Sequence, residues 1–192
     1  MSPCDIVVIG ASWGGLHAVG KILTDLPEDF PAPILVVQHR AGDSPDLLSG
    51  LLDRRGPLTV REAEDKMALT PGCVRVAPPG YHVLVEPGHL ALSTEAEVGY
   101  SRPSIDVALE SAADAYGPGV VGVVLTGANE DGAAGLAAVR RRGGMAIVQD
   151  PETAERSRMP AASIAAADPQ VISSLEDIAP LLVRLAREGG SA

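Results

Sequence analysis

Ile6-Val7-Val8-Ile9-Gly10-Ala11-Ser12-Trp13-Gly14-Gly15 is the stretch on which the reading of this chain turns. An unbroken β-branched run, with no polar alternation, describes a strand covered on both faces, the habit of parallel sheets. Gly10, Gly14 and Gly15 mark a tight turn, and the pattern beyond it predicts a helix to about Asp25. Within the turn, Gly10-Ala11-Ser12-Trp13-Gly14 fits G-x-S-x-G, which lifts a serine hydroxyl above a sheet edge where a helix begins. The free N–H groups and positive dipole end of that helix suit the oxyanion of an acyl transfer. Two other readings fit the same residues. Gly10, Ser12 and Gly15 stand where a dinucleotide loop has G-x-G-x-x-G, and Ser12 can serve simply as a helix N-cap. No G-K-[ST] follows, which excludes a P-loop.

Outward from this stretch the pattern repeats. Ile34 to Gln38 forms a second strand, followed by His39, a polar loop and a helix from about Pro45 to Arg55. Val120 to Leu125, Met145 to Val148 and Gln170 to Ser173 are further strands, separated by alanine-rich helical segments. Such alternation predicts an α/β fold with a doubly wound, mostly parallel, Rossmann-like sheet. The middle of the chain differs. Val74 to Ala77 ends at Pro78-Pro79-Gly80, and His82 to Glu86 pairs with Leu90 to Ser93 across Pro87-Gly88 as an inserted antiparallel hairpin. A polar connection from Glu95 to Pro103 leads to a helix capped by Ser104, with Ile105, Ala108, Leu109 and Ala112 on one face. With no repeat and no linker, residues 1–192 read as one domain.

Composition narrows the function. The 192 residues carry a formal charge of −10, with 46% hydrophobic, 21% charged and 3% aromatic residues. The balance is globular, and the core must come from Val, Ile, Leu and Ala. An acidic chain without a basic run or aromatic platforms does not suit nucleic acid. Cys4 and Cys73 make neither a disulfide framework nor a zinc pattern, so no metal is expected. The absence of a signal pattern and of a long apolar run predicts a cytoplasmic protein with no membrane insertion.

Three strand ends carry the chemistry. A dinucleotide site wants an acidic residue at the end of its second strand, but here stand Gln38-His39-Arg40; Arg40 keeps a 2′-phosphate conceivable. His39 suits a general base for Ser12. After Val120–Leu125, the turn Thr126-Gly127-Ala128-Asn129-Glu130-Asp131-Gly132 opens a helix. Asp131 is expected either to cap that helix or to orient the His39 imidazole. On the first role, Asp131→Asn leaves stability and turnover intact; on the second, stability stays near native and turnover falls.

The chain resembles the catalytic domain of the chemotaxis protein-glutamate methylesterases, the CheB family. The matching pieces are Ile9-Gly10-Ala11-Ser12 with Gly14-Gly15, Val37-Gln38-His39, Val76-Ala77-Pro78 and Ser101-Arg102-Pro103-Ser104-Ile105-Asp106. Leu125-Thr126-Gly127 with Asp131-Gly132-Ala133-Ala134-Gly135-Leu136, Gln149-Asp150-Pro151-Glu152-Thr153-Ala154 and Met159-Pro160 continue the match. The resemblance implies a cytoplasmic signal-transduction hydrolase with a catalytic triad at Ser12, His39 and Asp131. Such an enzyme demethylates glutamate methyl esters on chemoreceptors or related signalling proteins, and deamidates receptor glutamines, without a cofactor. It implies a methylated receptor as substrate and a separate receiver-domain or kinase partner, because family members usually carry a receiver domain that this chain does not show. The alternatives are a weakly catalytic interaction module of the same fold and, behind it, a nucleotide-binding domain.

Two departures stand out. Trp13 occupies a position that is commonly a small Thr, and Ala128-Asn129-Glu130 departs from the family loop T-G-M-G-x-D-G. Trp13 is expected to wall the substrate cleft or to pack on the first helix. Arg102 and Ser104 are expected to line the site or hold its loop, and Asp150 and Glu152 to cap a helix. His17, His82, His89 and the two cysteines are given no catalytic role.

Overall fold

The computed structural model describes residues 4–40 and 47–188. Its main sheet contains seven strands in the order β3-β4-β2-β1-β7-β8-β9. These are β1 (Ile6–Ala11), β2 (Ile34–Gln38), β3 (Thr59–Glu62), β4 (Cys73–Val76), β7 (Val120–Val124), β8 (Met145–Gln149) and β9 (Val171–Ser173). Every pairing among them is parallel. The second sheet is the hairpin of β5 (His82–Glu86) and β6 (His89–Ser93), antiparallel with Glu86 opposite His89. The inserted hairpin and the doubly wound sheet are as the sequence predicts.

Alternation along β1 divides the core. Val7, Ile9 and Ala11 face one layer, and Ile6 and Val8 face the other. The first layer holds α1 (Gly15–Asp25), α2 (Leu48–Asp53) and α6 (Leu175–Glu188), packed through Ile22, Leu52 and Ile178. The second holds α3 (Ile105–Tyr116), α4 (Ala133–Arg141) and α5 (Arg158–Ala167), packed through Leu109, Leu136 and Met159. Val83, Val85 and Leu90 of the hairpin join this second layer.

Two elements differ from the sequence expectation. The helix placed at Pro45–Arg55 is shorter, Leu48–Asp53, and the part of it at residues 45 and 46 lies outside the described residues. The edge strand β3 has no counterpart in the sequence reading. Its Val60 alone is fully buried, and Arg61 carries charge into the middle of the strand, so the apolar run that marks a central strand is missing.

The chain reverses its direction of winding around β1, going first to β2 and later to β7. In an open parallel sheet the strand ends diverge there and leave a crevice beyond their carboxyl ends. Ser12, His39 and the 126–132 turn all leave the sheet at this crevice.

Candidate active site

Register places the first two candidates side by side. Gly10 pairs with Val37 and Ala11 with Gln38, so Ser12 and His39 are the next residues along the two neighbouring strands, with no hydrogen bond between their side chains among the described residues. The His39 N–H donates to the Ala11 carbonyl at 3.1 Å, continuing the ladder one step past the strands. Buried Gln38 braces both from below, its Nε2 donating to the Ser12 carbonyl (2.7 Å) and the His39 carbonyl (3.1 Å).

The Ser12 turn is fixed by its backbone rather than by its side chain. Ser12 N–H donates to the Thr126 carbonyl (3.0 Å), and the Ser12 carbonyl accepts from Gly15 N–H (2.9 Å). Thr126 Oγ1 donates to the Trp13 carbonyl at 2.9 Å, while its own N–H is taken by Gln149 Oε1 at 2.9 Å. The N-cap of α1 is Gly14, in the left-handed region at φ 80°, with no side-chain cap. The simple N-cap reading of Ser12 therefore does not hold: its hydroxyl makes no hydrogen bond among the described residues. Gly10 is required by packing rather than by the turn, because a Cβ there would run into the Ile105 side chain at the start of α3.

Asp131 sits at the opposite wall. Its Oδ2 lies 2.6 Å from His39 Nε2 and accepts from Ile105 N–H at 2.6 Å. Its Oδ1 accepts from Ser104 Oγ at 2.8 Å and from Asp106 N–H at 3.0 Å. The capping alternative is thus corrected in its target: Gly132 is the N-cap of α4, and Asp131 binds the N-terminus of α3. Burial alone would raise its carboxyl, but the His39 ring and the two backbone donors outweigh it and hold the group below the ordinary aspartate value.

Asp106 returns the favour. Its Oδ1 accepts from Gly132 N–H (2.9 Å) and Gly135 N–H (2.7 Å), at the start of α4. Burial pushes this carboxyl up to about 6; the glycine N–H groups pull down and the Asp131 charge pushes up again. Helices α3 and α4 are therefore stapled at their N-termini by each other's aspartate. Sequence reading gave Asp106 no role.

Asn129 was also missed. Its Oδ1 accepts from Asp131 N–H at 3.3 Å and its Nδ2 faces His39 Nδ1 at 3.3 Å. The signals that pointed toward it are its place two residues before Asp131 and the departure of Ala128-Asn129-Glu130 from the family loop.

The rim is aromatic. Trp13 is 57% exposed, so packing on α1 is not its role; its Nε1 donates to Glu155 Oε1 at 2.7 Å, and the Arg156 guanidinium lies 5.4 Å from the ring. Tyr100, 98% exposed, stands between a cleft of about 400 Å³ beside His39 and Arg102 and one of about 640 Å³ beside Asn129 and Asp131.

Other candidates resolve into supports. Arg102 Nη1 donates to the Thr94 and Glu95 carbonyls, holding its loop. Ser104 caps α3 through Val107 N–H while donating to Asp131. His82, buried in the hairpin, accepts from Ser104 N–H at Nδ1 and contacts the Ala96 carbonyl through Nε2. Asp150 closes a turn with Glu152 N–H and Thr153 Oγ1 rather than capping a helix. Arg40 pairs with Glu62 and donates to the Ala77 carbonyl, engagements unlike those of a phosphate-binding arginine. Burial pushes the Cys4 thiol up to about 12, which leaves it protonated and inert. Among the described residues, no group of three His, Cys, Asp or Glu side chains is placed to hold a metal ion.

Residues 7–182 match the CheB methylesterase family. The chain belongs to that family. A Thermotoga maritima CheB methylesterase catalytic domain has a crystal structure that superposes with a TM-score of 0.90 at 34% identity, covering 96% of this chain and 100% of that one. A Leptospira interrogans protein, provisionally named protein-glutamate methylesterase/protein-glutamine glutaminase, is 43% identical over 94% of each chain. The Myxococcus xanthus protein-glutamate methylesterase FrzG is 43% identical over 77% of this chain but only 45% of its own length. The chain thus spans nearly all of one relative and about half of the other.

Proposed function

We propose that this chain is a serine carboxylic ester hydrolase that removes methyl groups from protein glutamyl esters, with Ser12, His39 and Asp131 as nucleophile, base and orienting acid. The observation that carries the reading is the 2.6 Å contact of His39 with an Asp131 held ionised, at the end of the strand beside the one that leads into Ser12, whose hydroxyl has no partner among the described residues.

With Asp131 accepting at Nε2, the His39 proton resides there and Nδ1 is the basic nitrogen. Ser12 Oγ attacks the ester carbonyl carbon as its proton passes to Nδ1. Ser12 N–H is already spent on Thr126, so the oxyanion donor of the turn is Trp13 N–H, which has no acceptor among the described residues. Collapse expels methoxide, which takes the proton from His39 and leaves as methanol. A water molecule then gives a proton to Nδ1 and attacks the acyl-serine, freeing the glutamate carboxylate and Ser12. A glutamine amide follows the same path with ammonia as leaving group.

The substrate would be a methylated chemoreceptor or related signalling protein, the site of action the cytoplasm, and residues 1–192 one catalytic domain. A receiver-domain or kinase partner would supply regulation. None of the helices in the described residues is long and apolar enough to cross a membrane. The test is methanol release from a receptor fragment bearing glutamyl methyl esters. Wild-type protein should release it and Ser12→Ala should not; equal release by both would end the proposal.

A further inference from the structure

His39 Nδ1, the nitrogen that must accept the Ser12 proton, is not empty in the substrate-free fold. Asn129 Nδ2 faces it at 3.3 Å. The orientation of that carboxamide is fixed from its other end, because Oδ1 accepts the Asp131 backbone N–H. An amide whose oxygen is so engaged can present only its NH₂ to the ring. The proton on Nε2, facing Asp131, leaves Nδ1 as an acceptor, so the two assignments agree.

We propose that Asn129 is a positioning residue that holds the basic nitrogen of His39 until the Ser12 hydroxyl displaces it. This rests on the Ser12–His39–Asp131 reading above. Two consequences follow from donors and acceptors alone. In the resting site the carboxamide competes with Ser12 Oγ–H for one lone pair. Once Nδ1 carries the proton, N–H meets N–H, and the carboxamide must turn away or give up its bond to Asp131. Asn129 therefore occupies the base in the absence of substrate and opposes acylation until it yields.

The test compares Asn129→Ala, Asn129→Gly and Asn129→Asp with wild type, reading the rate of Ser12 acylation by p-nitrophenyl acetate. Loss of the competing donor should raise the rate in the alanine and glycine variants by about fivefold, the equivalent of ~1 kcal/mol for one net hydrogen bond. Aspartate keeps an oxygen for the Asp131 N–H but turns an acceptor toward Nδ1. It should hold a proton on that nitrogen and slow acylation more than tenfold. A merely structural turn role gives the reverse order, with aspartate near wild type and alanine and glycine impaired, and that order overturns the proposal. Nitrogen-15 spectra of the imidazole give a second readout that does not depend on turnover. Nδ1 should be unprotonated in wild type and protonated in Asn129→Asp; an unprotonated Nδ1 in both contradicts the proposal. If Ser12→Ala still forms the acyl adduct, the nucleophile assignment itself fails, whatever the Asn129 series shows.

Discussion

Asp131 and Asp106 cap each other's helices, yet their carboxyls are driven in opposite directions. Asp131 uses both oxygens, accepting from Ser104 Oγ, Ile105 N–H and Asp106 N–H besides contacting His39. Asp106 uses a single oxygen for both of its glycine donors. Burial acts on each, but His39 and the backbone donors hold Asp131 below the ordinary value, whereas two glycine donors do not offset burial and the Asp131 and Glu110 charges at Asp106, which is pushed up to about 6. Residue type and capping duty are the same, so the difference teaches where the fold has invested its polarity. The anionic charge is kept beside His39, and the neighbouring carboxyl gives way.

Asparagine substitutions break this comparison most sharply. Asp131→Asn places an NH₂ where an oxygen now faces two donors, whichever way the amide turns. Turnover should fall by up to about 10⁴, the loss seen for the equivalent change in a well-studied serine protease. Stability should fall as well, by roughly 1–3 kcal/mol for the orphaned donors. This revises the near-native stability expected when the aspartate was read only as a cap of its own helix or as the acid behind His39. Urea unfolding and methanol release on one preparation check both; an Asp131→Asn protein of native stability and turnover would return the residue to a passive cap.

Acid should reveal the same contrast. A group whose pKa is lowered by folding contributes stability above its unfolded value, so the Asp131 contribution is present above about 3.9 and is lost as pH falls through its lower folded value. For Asp106 the sign is reversed. Its folded value of about 6 means that the fold binds the proton more tightly. The relative benefit is complete below about 3.9 and is lost as pH rises through about 6. Asp106→Asn preserves the single accepting oxygen and removes the charge. It should therefore stabilise the protein by on the order of 1–2 kcal/mol at pH 8 and by little at pH 4. Melting temperatures across that range decide it, and a variant that loses stability at pH 8 contradicts the account.

The smallest effect belongs to the rim. Trp13→Ala removes the indole held by Glu155 and Arg156 while leaving the backbone N–H in place. An exposed cation–π contact accounts for about 0.5–1 kcal/mol. A loss several times larger in urea unfolding would mean that the indole is part of the core.

Much of this architecture was legible in the sequence because its central strands are nearly continuous apolar runs rich in Val and Ile. The register that sets Ser12 beside His39 follows from those runs ending in step. The edge strand β3 was not legible, since Val60 alone reports its burial. Nor was the Asp131–α3 contact, because the donors Ile105 and Asp106 lie 26 and 25 residues away and meet Asp131 only through the packing of α3 against α4. Local pattern correctly named Asp131 as a helix cap and assigned it to the wrong helix. Asn129 stood out only as part of a loop that departs from the family pattern, since its contact with His39 depends on where one carboxamide points.

The most direct measurement is intact-mass and peptide spectrometry of the protein quenched during turnover of a glutamyl methyl ester. The account predicts a transient acyl adduct on the peptide containing Ser12, absent from Ser12→Ala, with methanol released in step. An adduct on any other residue, or undiminished turnover in Ser12→Ala, would contradict it.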